Sequence, residues 1–242
     1  SNEKNCNPIY HGIKDRCTRE SLLCRRTSMK EMLSSHDYMH SILSLHSKWG
    51  IGHMTEHFLP DDLFHEILDL LKSSNDELFF DEDHLCYLHS MTQRTLAESE
   101  IDLFIHCQAL SDLVVDGNLD FYDQKVHLTL SQRKKYFNHL LHVFETNSNL
   151  TFKLAKEPMI LDFKYQTNQC IFLSDQFSYI RLNTYNWVNN LAIINHPNLK
   201  HMFDRFFNAV WNDATSELLS DYSEIHSFFV HIIQQINILS EI

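Results

Sequence analysis

The spacing of apolar residues changes period several times along this 242-residue chain, and that alternation limits the available folds more than any single motif does. In PDDLFHEILDLLKSS (60–74), Leu63, Phe64, Ile67, Leu68 and Leu71 recur at three- and four-residue steps behind Pro60 and two acids, which predicts an amphipathic helix. The same period predicts helices over 81–99, with Leu85, Leu88 and Leu96 inward, and over 131–147, with Ser131 as cap and Phe137, Leu140, Leu141 and Phe144 on one face. Two more close the chain, over 198–213 and 221–239. Between them lie short apolar runs of strand length: IDLFIHC (101–107), LTFKLA (150–155), QCIFLSD (169–175), FSYIRLN (177–183) and LAIIN (191–195). Asp116-Gly117 is a turn signal. Helices alternating with strands, then a cluster of strands, predict a mixed α/β fold in which helices flank a sheet. With only four Gly and four Pro, a loop-rich β-sandwich is disfavoured.

The first 35 residues differ from the rest in charge. They hold seven Lys or Arg against four Asp or Glu, a balance of +3, which leaves −15 for the remainder of a chain whose net charge is −12. A basic head on an acidic body fits a nucleic-acid contact confined to the head, because phosphate would repel the body. A solvated basic arm packed on the acidic body accounts for the same charges. SSHDYMHSILSLHSKW (34–49) has Tyr38, Ile42, Leu45 and Trp49 at helical steps and predicts a helix that links head to body and pairs with its copy in a dimer. The expected division is therefore 1–35, a basic helical segment; 36–59, a linker helix and turn; and 60–242, an α/β sensor and dimerisation domain.

Cys6, Cys17, Cys24, Cys86, Cys107 and Cys170 lie far apart with no C-x-x-C pair, which suits free thiols in a reducing compartment. No run approaches the roughly 18 apolar residues that span a bilayer. A cytoplasmic location without membrane contact is the expectation.

No catalytic motif is complete. HMTEH (His53 to His57) has the form of an inverted zinc-protease motif, but Gly50, Gly52 and Pro60 leave it a short helical frame. With 17 histidines, a His-x-x-x-His pair arises about once by chance in this length, so no metal ligand is assigned. DEDH (Asp81 to His84) offers consecutive acids that diverge on a helix and suit its N-terminus better than a magnesium cage. Gly12, Gly50, Gly52 and Gly117 are too scattered for a phosphate loop, and no G-x-S-x-G elbow occurs, so no cofactor is expected. HSKWGIGH (46–53) carries a His-x-Lys start, but His53 stands where a phospholipase D motif has its acid, and no second copy exists. No catalytic residue is assigned.

NLKHMFDRFFNAVWND, with Phe206, Phe207 and Trp211 on one helix behind a strand cluster, resembles the C-terminal sensor domains of some bacterial one-component transcription regulators, including non-catalytic phospholipase-D-like ones. The likeness covers residues 60 to 213 in pattern. In TRESLLCRRTSMKEMLSS (18–35), Leu22 and Leu23 would pack one helix, Arg26 to Ser28 would turn, and Met29, Met32 and Leu33 would pack the next. That arrangement resembles part of a helix-turn-helix of the repressor-like XRE class. The resemblance implies phosphate contacts from Arg19, Arg25, Arg26 and Lys30 and a homodimer whose body binds a small-molecule effector. A pocket is expected where aromatic strands meet helices, around Phe172, Tyr179, Tyr185, Trp187 and Phe207. An enzyme on small molecules or phosphodiesters with an unrecognised histidine–metal site, and a protein-interaction module, are the alternatives.

Overall fold

The computed structural model describes residues 24–27, 46–51, 55–73, 82–121, 124–155, 168–174, 178–184, 187–194, 197–212 and 218–241. The fold is mixed α/β, as the periodicity predicts. An eight-stranded sheet runs in the order β1 (Cys24–Thr27), β9 (Trp187–Ile194), β8 (Ser178–Thr184), β7 (Asn168–Ser174), β2 (His46–Ile51), β3 (Glu100–His106), β6 (Leu150–Ala155), β10 (Leu218–Leu219). β2, β3 and β6 are parallel, and every other pairing in this sheet is antiparallel.

Parallel neighbours need a crossover, and the helical sequences supply it. Between β2 and β3 come the 3-10 turn Thr55–Phe58, α1 (Asp61–Ser73) and α2 (Glu82–Glu98); between β3 and β6 come α3 (Cys107–Asp116), the hairpin β4–β5 (Asn118–Phe121, Gln124–His127) and α4 (Leu130–Thr146). Beyond the sheet's middle follow α5 (Pro197–Asn212) and α6 (Tyr222–Leu239). Thr129 and Gln132 form a reciprocal capping box on α4, and Asp221 accepts from the Ser223 and Glu224 amides at the start of α6.

The main core is the predicted apolar stripe of α1, together with Leu85, Leu88 and Leu96 of α2, Phe137 and Leu140 of α4, and Ile225, Phe229, Ile232 and Ile236 of α6. These close on Ile101, Leu103 and Ile105 of β3 and on Phe152 and Leu154 of β6. The intervening Phe104 is also buried and stacks on Phe207 of α5, so β3 is covered on both faces. A strand buried on both sides reads as a near-continuous apolar run, as Leu103, Phe104 and Ile105 do within IDLFIHC.

Two expectations are corrected, and one helix is added. Cys24–Thr27 is a strand, antiparallel to β9 with Arg25 opposite Ile193 and Arg26 opposite Ala192, where the helix-turn-helix reading required a helix end and a turn. Sheet pairing at β9 overrides the local helix signal there, and Arg19 and Lys30 lie outside the described residues. His46–Trp49, expected as the end of a linker helix, belongs to β2, between β7 and β3; residues 34–45 lie outside the described residues. Both β1 and β2 thus join strands of 60–242 in one sheet. The Asp116-Gly117 turn is the C-terminus of a helix the periodicity reading omits: Gly117, at φ 69°, caps α3 and donates to the Leu113 carbonyl.

Candidate functional site

α5 starts at Pro197, whose missing N–H costs nothing at a first helical position. Among its described residues Phe207 is the fully buried one, stacked between Phe104 (centroids 5.3 Å apart) and Trp211 (5.6 Å). Polar tethers hold the helix on either side of that ring. One turn before it, Asp204 Oδ1 accepts from Lys48 Nζ of β2 at 2.6 Å, while Asp204 Oδ2 accepts from Asn208. One turn after it, Lys153 Nζ of β6 donates to the Trp211 carbonyl at 2.7 Å and lies 4.3 Å from the centroid of the indole ring.

Register explains why these groups meet. Lys48 is opposite Asp102, and Phe104 is opposite Lys153, so the two lysines flank β3 beneath α5. Burial pushes the Lys153 ammonium below the usual lysine range, with Asp102 acting the other way. Along the outside of α5, Asn198, His201, Met202 and Arg205 follow i, i+3, i+4, i+7 spacing and line an open cavity of about 540 Å³.

A second polar cluster sits inside the helical layer. His89 of α2 is buried, its ring stacked on Phe64 at 4.0 Å and 6°, with Nε2 2.9 Å from Asp61 Oδ1. Its Nδ1 is buried without a hydrogen-bond partner, as is Nε2 of His139 on α4. Desolvation is the main reason that both imidazoles titrate below the ordinary histidine range. Nearby, Gln93 donates to the Leu59 carbonyl at 3.0 Å and holds α2 to the 3-10 turn. Buried His57 of that turn has Nδ1 3.9 Å from Glu56. His53 lies outside the described residues, and among those described no group of three or more His, Cys, Asp or Glu is arranged to hold a metal ion.

Of the expected pocket residues, Phe172 and Tyr179 are register partners in the row of Leu103 and Trp49. Phe104, on which Phe207 stacks, lies in the next row. Trp187 pairs with Thr184 past an irregularity in β8–β9, and Tyr185 lies outside the described residues. Phe207 itself is a buried ring stacked on Phe104 and Trp211. Sequence reasoning misses Lys48, Lys153 and Asp204; Lys48 and Asp204 are 156 residues apart, and no local pattern joins them. His89 does carry a signal, since it stands four residues after Leu85 and seven before Leu96, on the inward stripe.

No protein-family model, curated protein or solved structure matches the chain. No helix among the described residues is long and apolar enough to cross a membrane.

Proposed function

We propose that the chain is the sensing body of a DNA-binding transcription regulator, and that α5 is the element through which it senses. What carries this reading is the attachment of α5: one buried ring between two polar tethers, with a cavity of about 540 Å³ along its outer stripe. His201 and Arg205 suit an anionic effector, which acts by binding the seated and released positions of α5 unequally. A ligand on the outer stripe would act on the Lys48–Asp204 pair by shifting α5 as a whole, since Asp204 belongs to that helix.

The DNA contact rests on the basic balance of residues 1–35, with Arg19, Arg25, Arg26 and Lys30 supplying charge to phosphates rather than a recognition helix to a groove. Two copies joined through α6, where Ile238 and Leu239 are exposed, would present two basic segments to one duplex.

Fluorescence anisotropy over a salt series, with probes from DNA flanking the gene, tests the reading. The expected result is salt-dependent binding that weakens, with a shallower salt slope, when Arg19, Arg25, Arg26 and Lys30 are changed together to Gln. Inorganic phosphate, a mononucleotide or a dicarboxylate should raise Tm in a thermal-shift assay through Arg205, and R205A should abolish the rise. No DNA binding at low salt would remove the regulator reading. No stabilisation by any of the three anions would remove the anionic effector.

A further inference from the structure

Buried His89 and half-buried His139 define a joint that the sensing role of α5 does not use. The 3-10 turn packs against both α2 and α4, and α1 packs against α4. His89 and His139 sit in this seam with Phe64 and Phe121 beside them. His89 spends its Nε2–H on Asp61, so its bare Nδ1 faces the core as an unused acceptor. A neutral imidazole tolerates that arrangement. A proton on Nδ1 creates a donor and a charge at a buried nitrogen that has no hydrogen-bond partner, and the unpartnered Nε2 of His139 faces the same difficulty.

The charged groups around the seam do not cure this. The 3-10 turn packed against it carries buried Glu56 and His57, 3.9 Å from each other; Asp61, Asp62, His65 and Glu66 come from α1, and Lys135 and His142 from α4. Asp61 is 81% exposed and well hydrated. Asp62 and Glu66 are already held by Lys135. His65 and His142 oppose further positive charge, and His139 opposes the protonation of His89.

We infer that the seam between the 3-10 turn, α1, α2 and α4 is an acid-operated joint, which opens when buried His89 and half-buried His139 take up protons while the sheet stays paired. The fold favours their neutral forms, whereas the unfolded chain takes up protons from about pH 6.5 downward. Stability is therefore fully present above pH 6.5 and is lost as pH falls below it, by up to about tenfold in the folding constant per histidine for each pH unit.

The test uses the full chain with histidine rings labelled at Cε1, followed by NMR between pH 8 and 5. Two resonances, assigned by H89F and H139L, are expected to titrate below 6.5. Hydrogen exchange, corrected for intrinsic rates, should show α1, α2 and α4 losing protection at pH 5.5 while β3, β6 and α6 keep theirs. The H89F/H139L double variant should lose most of the pH dependence of Tm between 7.5 and 5.5. If either ring titrates at or above 6.5, or protection falls evenly across sheet and helices, the joint is disproved. The wild-type titration decides the question even if the double variant does not fold.

Discussion

The helical layer buries two kinds of polar group and treats them oppositely. Arg133 of α4 is 6% exposed, yet its guanidinium is well occupied: Nε donates to the Leu128 carbonyl at 2.9 Å, and Nη1 donates to the Val114 carbonyl at 2.8 Å and to that of Val115 at 3.3 Å. Val114 and Val115 belong to the last turn of α3, whose carbonyls and dipole favour a cation. The remaining side of the group lies against Gly117 and His127. His89 and His139 instead keep ring nitrogens that nothing satisfies. A buried cation that spends its donors on fixed carbonyls is a permanent rivet. A buried base left partly unsatisfied has a second protonation state within reach of ordinary pH, and so can act as a hinge.

Removing the rivet should cost most. Arg133→Met fills similar volume but strands the Leu128, Val114 and Val115 carbonyls, for a loss of about 3 to 4 kcal/mol in urea unfolding at pH 7.5. The loss should not grow at pH 5.5, since the guanidinium stays charged and the carbonyls it holds do not titrate. A loss that grows in acid would erase the distinction between rivet and hinge.

Gly117→Ala attacks the same rivet from above. A Cβ there would clash with the Arg133 guanidinium, and φ of 69° disfavours any side chain. About 2 to 3 kcal/mol is expected, because Arg133 can shift at the expense of its weaker bonds. If Gly117→Ala proves harmless in the Arg133→Met background, the clash rather than the backbone strain is the main cost.

These two regions also show what a sequence can disclose. The α1 stripe from Leu63 to Leu71 is legible because burial there follows helical period alone, and all five residues are buried. α3 is illegible because its apolar positions, Ala109, Leu110, Leu113 and Val114, span barely two turns and follow directly on the apolar run of β3. β2 misleads because Leu45 and Trp49 match a helical step, while its place between β7 and β3 comes from pairing with residues more than fifty positions away. Most of the site lies beyond local reading for the same reason. Arg133 meets α3 across 19 residues, His89 meets Asp61 across 28, and the partners of Lys48 and Lys153 are farther still.

His89→Phe should invert the pH ranking of the two regions. Phenylalanine keeps the stack on Phe64 and gives up one bond to an exposed carboxylate, so at pH 7.5 the variant should lie within about 1 kcal/mol of the parent. At pH 5.5 it should be the more stable of the two, by up to about tenfold in the folding constant. Equal pH profiles for parent and variant would place the acid sensitivity elsewhere among the 17 histidines.

The smallest effect distinguishes two accounts of the hinge. If the Asp61 carboxylate were what kept His89 in place, Asp61→Asn would be costly and would abolish the acid response. The geometry argues otherwise. The asparagine amide would still present an oxygen to the Nε2–H of His89, and the carboxylate it replaces is 81% exposed. The main loss at pH 7.5 is the favourable charge in the first turn of α1, about 0.5 kcal/mol. In the parent, Asp61 draws the His89 titration back toward the ordinary range, against burial. Removing it should move the His89 resonance to still lower pH and extend the acid loss of stability further down. A shift upward, or none, would mean that this carboxylate does not act on the imidazole as its position requires, and the hinge would have to be rebuilt around other charges of the seam.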